Sequence, residues 1–137
     1  MPERIRPERI RVALCDDHAM VRAGLRRILA DADDIDVVGE AATAEEAVTV
    51  ARAQRPEVFV VDLGLPGASG IDATRRIGDA SPATAVLVLT VHDDVAYLRR
   101  AFAAGARGYL VKDAADVDLV LAVHRVATGK EHVDPRL

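Results

Sequence analysis

Residues 57–70 read EVFVVDLGLPGASG, a short apolar run that stops at a carboxylate. The apolar part, Val58–Val61, is long enough only for a short buried strand of the kind found in parallel sheets. Asp62 follows it directly. The residues after it break helices and favour a turn: Gly64, Pro66, Gly67 and Gly70. The stretch therefore predicts a buried strand that holds an aspartate at its end, above a loop.

Short apolar runs of this kind recur along the chain and alternate with helical patterns. The predicted strands are Ile10–Cys15, Val37–Gly39, Val58–Val61, Ala85–Leu89 and Gly108–Val111. Between them, apolar residues recur at spacings of three and four positions, which is the pattern of an amphipathic helix. Strands that alternate with helices predict an α/β fold, a parallel sheet with helices on both faces. Five such units in one small domain favour a doubly wound sheet.

The composition is that of a soluble globular domain. Half of the 137 residues are hydrophobic and only 3% are aromatic, so the core must consist of Val, Leu, Ile and Ala. The net charge of −4 argues against direct contact of this segment with nucleic acid. The single cysteine, Cys15, rules out an internal disulfide and fits a reducing compartment. Because no apolar run approaches the roughly 20 residues of a membrane span and no signal peptide is recognisable, we expect a cytoplasmic protein.

The ends of the chain differ from its middle. Residues 2–6 and 7–11 repeat the pentamer PERIR, and the second copy runs into the first predicted strand. The last residues, TGKEHVDPRL, are polar and typical of turns. We therefore expect a leader at 1–9, one domain at 10–130, and a tail or the start of a linker at 131–137.

Polar side chains follow four of the predicted strands at the point where each strand ends. They are Asp16 and Asp17 after the first strand, Asp62 after the third, Thr90 after the fourth and Lys112 after the fifth. In open α/β sheets the carboxyl ends of the strands meet at one edge, where ligands bind. If the four strands adjoin, three aspartates, a hydroxyl and an ammonium share one crevice.

This set of side chains suits phosphoryl chemistry on a carboxylate. Three clustered aspartates repel one another, and a bound cation would offset this repulsion. Their oxygen ligands suit a hard ion such as Mg²⁺. The hydroxyl of Thr90 and the ammonium of Lys112 could hold phosphoryl oxygens. A carboxylate between a metal ion and an ammonium is a natural nucleophile, as in the formation of an aspartyl phosphate.

Four segments resemble a known family. They are CDDH at 15–18, VVDLGLPGASG at 60–70, LTVHDD at 89–94 and GARGYLVKDA at 105–114, and they are similar to the receiver domain of two-component response regulators. The resemblance covers about residues 10–130 and is closest to the NarL/FixJ subfamily, in which a LuxR-type helix-turn-helix domain follows the receiver. It implies a flavodoxin-like sheet of five parallel strands in the order 2-1-3-4-5.

The resemblance also implies a role for each polar side chain at the strand ends. Asp62 would be the phosphoacceptor. The protein ligands of Mg²⁺ would be Asp16, Asp17, Asp62 and the backbone carbonyl of Gly64. Thr90 and Lys112 would each bind a phosphoryl oxygen, and Tyr109 would be a switch residue together with Thr90.

The implied function is regulatory rather than enzymatic. A sensor histidine kinase would donate a phosphoryl group to Asp62, and the protein would catalyse only its own phosphorylation and dephosphorylation. The added charge would draw Thr90 and Lys112 inward. Tyr109 would then turn in, and the face formed by the fourth helix, fifth strand and fifth helix would change. The output would be homodimerisation, or control of transcription through a C-terminal DNA-binding domain that we do not find in this sequence.

Three other functions remain open on these residues. An aspartate-nucleophile phosphohydrolase would need a second aspartate two residues after Asp62, where Gly64 stands. A dinucleotide-binding module would need G-x-G-x-x-G after the first strand, and CDDHAMVRAG does not contain it. A receiver domain that ignores phosphate and only mediates assembly is disfavoured because all five polar residues are present.

The site residues also have plainer interpretations. Asp16 or Asp17 could cap the first helix, and Thr90 could cap the fourth. Lys112 could be an ordinary surface lysine. Tyr109 could be a half-buried core aromatic.

Overall fold

The structure is a computed structural model, which describes residues 9–65, 70–91 and 94–137. These ranges contain six strands: β1 (Ile10–Cys15), β2 (Ile35–Ala41), β3 (Val58–Asp62), β4 (Ala85–Thr90), β5 (Gly108–Val111) and β6 (His132–Val133). They contain five α-helices: α1 (Ala19–Ala30), α2 (Ala44–Gln54), α3 (Gly70–Ala80), α4 (Val95–Ala103) and α5 (Ala115–Ala127). A 3₁₀ turn, Lys112–Ala114, joins β5 to α5. Residues 1–8 of the predicted leader and the loop residues Pro66 and Gly67 lie outside these ranges.

The strands form one parallel sheet in the order β2-β1-β3-β4-β5-β6. The predicted α/β fold and the strand order 2-1-3-4-5 are therefore confirmed. β3 lies between β1 and β4 and is buried along its whole length. Its apolar run, Val58–Val61, thus supports the aspartate that ends it from inside the core.

β2 and β6 differ most from the sequence prediction, while β3 and β4 each run one residue further than predicted. β2 covers Ile35–Ala41 and not only Val37–Gly39, because an edge strand that pairs on one side alone can carry polar residues. β6, His132–Val133, is not predicted at all, so within the described ranges the sheet has six strands and not five. Its two residues pair with Gly108 and Tyr109 of β5, and two residues are too few to show a period. The domain limits at residues 10 and 130 stay a prediction.

Helices cover both faces of the sheet. α1 and α5 pack on one face, and α2, α3 and α4 pack on the other, in two separate hydrophobic clusters. Both clusters consist mostly of Val, Leu, Ile and Ala, as the scarcity of aromatic residues predicts. Close packing on both faces holds the strands rigidly, so their carboxyl ends give polar groups fixed positions. Among the helices in the described ranges, none has the length and apolar character needed to cross a membrane.

Candidate functional site

The four strands that end in polar side chains are neighbours. β1, β3, β4 and β5 adjoin in that order and run parallel, so their carboxyl ends meet at one edge of the sheet. Lys112 Nζ lies 3.2 Å from Asp16 Oδ2 and 3.5 Å from Asp62 Oδ1. The structure thus brings two carboxylates and an ammonium together at this edge, where the ammonium offsets one of the two negative charges.

Asp62 is the last residue of β3 and is held in place by its surroundings. Its side chain is 9% exposed, and Oδ1 accepts a hydrogen bond from the Gly64 N–H at 3.1 Å. The following loop closes where the Gly70 N–H donates to the Leu63 carbonyl at 2.9 Å. A Cβ on Gly70 would lie 2.3 Å from the Asp62 carbonyl oxygen. Only glycine therefore lets α3 begin directly against the end of β3.

Asp16 and Asp17 precede α1 but do not cap it. The N-cap residue of α1 is His18, so the capping interpretation is wrong. Asp16 is buried, its Oδ1 accepts a hydrogen bond from the His18 N–H at 2.9 Å, and its carbonyl accepts one from Arg22 Nη1 at 2.6 Å. These contacts fix the backbone of the acid pair while Asp16 Oδ2 faces Lys112.

The acid pair offers a place for a cation. Asp16, Asp17 and His18 each offer one ligand atom, and these atoms lie within 4.8 Å of one another. Asp17 Oδ1 is buried and accepts no hydrogen bond from the described residues, although His18 Nδ1 lies 3.1 Å away. A buried carboxylate oxygen without a donor costs free energy, which a bound cation would recover. The carboxylates therefore fit a hard ion such as Mg²⁺.

Thr90 and Tyr109 are buried near the same edge. Thr90 ends β4, is 1% exposed and lies in register with Val111 of β5. The N-cap of α4 is Asp94, so the interpretation of Thr90 as the cap is wrong. Tyr109 is 0% exposed and packs in the cluster under α2, α3 and α4, so it is fully buried rather than half-buried.

Cys15 precedes the acid pair and is chemically inert. Burial raises the pKa of its thiol to about 12, and the negative charges of Asp16 and Asp62 add to this effect. Its Sγ donates to the Thr43 carbonyl at 3.6 Å. The thiol therefore stays protonated at neutral pH, where only a thiolate would react or bind metal.

Three residues beside the site are missed by sequence reasoning. His18 contacts both aspartates, with Nδ1 also 3.5 Å from Asp16 Oδ1, and its only signal is its place after them. Arg22 reaches the Asp16 carbonyl from the first turn of α1. Asp134 is fully buried and accepts a hydrogen bond from the Val111 N–H, although it lies in a tail that looks polar and turn-like.

Comparison with known proteins gives one consistent family. The family model described as response regulator receiver domain matches residues 12–124. The chain is 40% identical over 129 residues to the oxygen regulatory protein NreC of Staphylococcus haemolyticus, which covers 93% of this chain and 59% of that protein. The chain thus spans less than two thirds of the length of this curated relative.

Solved structures show the same fold. A two-component response regulator of the LuxR family from Aurantimonas sp. SI85-9A1 is 39% identical, with a TM-score of 0.90 over 94% of this chain and 92% of that one. The isolated receiver domain of RcsB from Salmonella enterica serovar Typhimurium, in the presence of the phosphomimetic BeF₃⁻, is 26% identical. Its TM-score is 0.84, over 93% of this chain and 95% of that one.

Proposed function

The chain belongs to the response regulator receiver domain family, and we propose that it is a receiver switched by phosphorylation of Asp62. The phosphoryl donor would be a sensor histidine kinase. The observation that carries the proposal is the position of Lys112 Nζ, 3.5 Å from Asp62 Oδ1 and 3.2 Å from Asp16 Oδ2. It puts a positive charge where a phosphoryl group on Asp62 would carry negative charge. The structure of the related RcsB receiver in the presence of the phosphomimetic BeF₃⁻ supports the same chemistry.

The transfer requires little of the protein beyond positioning and charge. A carboxylate oxygen of Asp62 forms a bond to phosphorus while the bond from phosphorus to the donor breaks, and its electron pair leaves with the donor. Lys112 stabilises negative charge that develops on the phosphoryl oxygens, and the hydroxyl of Thr90 donates a hydrogen bond to another of them. The Gly64 N–H holds the attacking carboxylate in place.

Mg²⁺ would be held by Asp16, Asp17, Asp62 and the backbone carbonyl of Gly64. When bound, it would neutralise the repulsion among the carboxylates and the incoming phosphoryl oxygens. The buried Asp17 Oδ1, which lacks a hydrogen-bond donor among the described residues, supports this assignment. His18 lies close to the pair but is 68% exposed, so we do not include it among the ligands.

Phosphorylation would change an output surface. The added charge of about −1.5 to −2 would draw Thr90 and Lys112 toward Asp62. Tyr109 lies in β5, two positions before the end of the strand that Lys112 follows. It would transmit this change to α4 and α5. The response would be homodimerisation or control of transcription through a C-terminal helix-turn-helix domain, which the greater length of NreC supports. We propose a cytoplasmic location and no direct contact of this segment with nucleic acid.

The alternative functions find less support. A phosphohydrolase would need an acid or base two residues after Asp62, and Gly64 has no side chain to supply one. A phosphate-independent assembly module would not need Lys112 aimed at two carboxylates.

The proposal is tested by incubating the protein with Mg²⁺ and acetyl phosphate and following its intact mass. We expect one phosphoryl adduct, stable in acid and labile in base, that is absent from Asp62→Asn and prevented by EDTA. An adduct that persists in Asp62→Asn would overturn the proposal. Rapid release of many phosphates per protein would favour the phosphohydrolase instead.

A further inference from the structure

Asp134 is a buried carboxylate in the tail that follows α5. Its side chain is 0% exposed. Oδ2 accepts a hydrogen bond from the Val111 N–H at 3.0 Å, and Oδ1 accepts one from the Arg136 N–H at 2.9 Å. The Asp134 N–H itself donates to the Tyr109 carbonyl at 2.9 Å. A buried charge is tolerated only where such partners satisfy it, and one partner of this carboxylate, the Val111 N–H, belongs to the main chain of β5.

The Asp134 carboxylate accepts a hydrogen bond from the Val111 N–H, which β6 does not pair. β6 pairs with β5 at Gly108 and Tyr109, so the ladder on that edge stops before Val111. On its other edge, Val111 lies in register with Thr90 of β4. Asp134 therefore takes the place of a strand partner for the last residue of β5, and the backbone there is held from both sides.

Val111 in turn determines where the side chain of Lys112 begins. It is the N-cap residue of the 3₁₀ turn Lys112–Ala114 and precedes Lys112 directly. The Lys112 side chain starts beyond β5 and must pass β4 to reach Asp62 on β3. A displacement of the backbone at Val111 would therefore displace the ammonium of Lys112 as well.

We propose that Asp134 is a positioning residue for phosphorylation of Asp62, because its carboxylate holds Val111 and thereby aims the Lys112 ammonium. This role rests on the proposed function. Asp134 acts through Lys112 and does not touch the metal ligands, since β4 and β5 separate β6 from β3 and β1.

Arg136 keeps the carboxylate of Asp134 ionised. Burial alone would raise the pKa of Asp134, but the hydrogen bonds from Arg136 and from the Val111 N–H hold it below its usual value. Arg136 Nε and Nη2 lie 3.2 Å from Oδ1 and Oδ2 respectively, so the guanidinium contacts both oxygens. An ionised carboxylate can accept from the guanidinium and from Val111 at once.

The test compares rates of phosphorylation by acetyl phosphate in four proteins: wild type, Asp134→Ala, Lys112→Ala and the double variant. We expect Asp134→Ala to slow phosphorylation roughly tenfold, within the ~10²-fold that a 1 Å misplacement can cost. The double variant should be no slower than Lys112→Ala, because the two side chains act as one unit. Mg²⁺ affinity, measured from the NMR shift of the Gly64 amide, should stay at the wild-type value.

Three further variants serve as controls. Asp134→Asn keeps an acceptor oxygen for the Val111 N–H and should retain more of the rate than Asp134→Ala. Arg136→Ala changes a side chain that is 53% exposed. It should also slow phosphorylation, but by a smaller factor than Asp134→Ala. Asp116→Ala removes an exposed carboxylate from α5 and should leave the rate unchanged.

The outcomes separate this role from the proposed function. If the wild type takes no phosphoryl group at all, the proposed function fails and this role fails with it. If the wild type is phosphorylated and Asp134→Ala reacts as fast, the positioning role alone is overturned. The positioning role is also overturned if Asp134→Ala slows phosphorylation of the Lys112→Ala protein by as large a factor as it slows that of the wild type.

Discussion

Lys112 Nζ lies 3.5 Å from Asp62 Oδ1, although Lys112 follows β5, Asp62 ends β3, and these two strands do not adjoin. β4 lies between β3 and β5, so only a long side chain can join them. The same ammonium lies 3.2 Å from Asp16 Oδ2. One cation that follows β5 therefore lies against carboxylates at the ends of β1 and β3, where a phosphoryl group on Asp62 would meet it.

Replacing Lys112 should slow phosphorylation of Asp62. We expect Lys112→Ala to lower the rate with acetyl phosphate by ~10²–10³-fold, the usual effect of removing one group that stabilises developing negative charge. Lys112→Arg should recover only part of the rate, because a planar guanidinium does not place its charge where an ammonium does. Lys130→Ala is the matched control, since Lys130 is exposed and lies just before β6, at the opposite end of the strands from Asp62. Equal rates in Lys112→Ala and Lys130→Ala would contradict the assignment.

Gly70→Ala should destabilise the protein, because the added methyl would lie 2.3 Å from the Asp62 carbonyl oxygen and 2.4 Å from Leu63 Cα. We expect the free energy of unfolding in urea to fall by about 3 kcal/mol, the upper end of the range for overpacking. Gly78 is the matched control in the same helix, where an added Cβ meets nothing within 4 Å. Gly78→Ala should raise the free energy of unfolding by ~0.5–1 kcal/mol. A loss of stability in Gly78→Ala as large as in Gly70→Ala would count against this packing.

Asp17→Asn should weaken Mg²⁺ binding without unfolding the protein. The change leaves the shape of the side chain and removes one negative charge from the acid pair, so the metal-free protein should be as stable as the wild type or more so. At a Mg²⁺ concentration 100 times its Kd, the wild type should gain ~2.7 kcal/mol of stability, which EDTA abolishes. Thermal unfolding with and without Mg²⁺ measures this gain. Asp36→Asn, at an exposed position on β2, is the control and should keep the full gain in stability. An undiminished gain in Asp17→Asn would exclude Asp17 as a ligand.

The stability of the protein should depend on pH through His132. Burial lowers the pKa of His132 in the folded state, with a further contribution from Arg125. The imidazole of His132 therefore binds a proton more readily in the unfolded chain than in the folded one. Its contribution to the free energy of unfolding is complete above about pH 6.5 and is lost as the pH falls through the lower folded-state pKa. Urea unfolding at pH 7.5 and pH 5.5 measures the loss. His132→Leu should lose less stability than the wild type over this interval, and an equal loss in both proteins would contradict this contribution.

The sequence predicts those parts of the molecule that have a repeating or local signal. β3 and the site aspartate at its end follow from an apolar run and the carboxylate after it, and strand ends converge because parallel strands share a direction. β6 has two residues and no period, so only the three-dimensional pairing with β5 reveals it. Asp134 looks like a turn residue before a proline, and its burial depends on the Val111 N–H, 23 positions away along the chain.

The close approach at Gly70 is a further feature that the sequence conceals. A glycine after a loop predicts a turn or the start of a helix, and α3 does begin there. The reason that no other residue fits is contact with the backbone of Asp62 and Leu63, which depends on where α3 begins relative to the end of β3. Contacts of this kind are set by packing and leave no periodic trace.

The most direct test of the account is to locate the phosphoryl group on the chain. The protein is incubated with Mg²⁺ and acetyl phosphate, and the acyl phosphate is reduced with borohydride, which converts a phosphorylated aspartate to homoserine. Peptide mass spectrometry then reports which aspartate has changed. The account predicts conversion at Asp62 and at no other position, including the neighbouring acids Asp16 and Asp17. Conversion at another aspartate, or none while the intact mass shows a stable adduct, would contradict it.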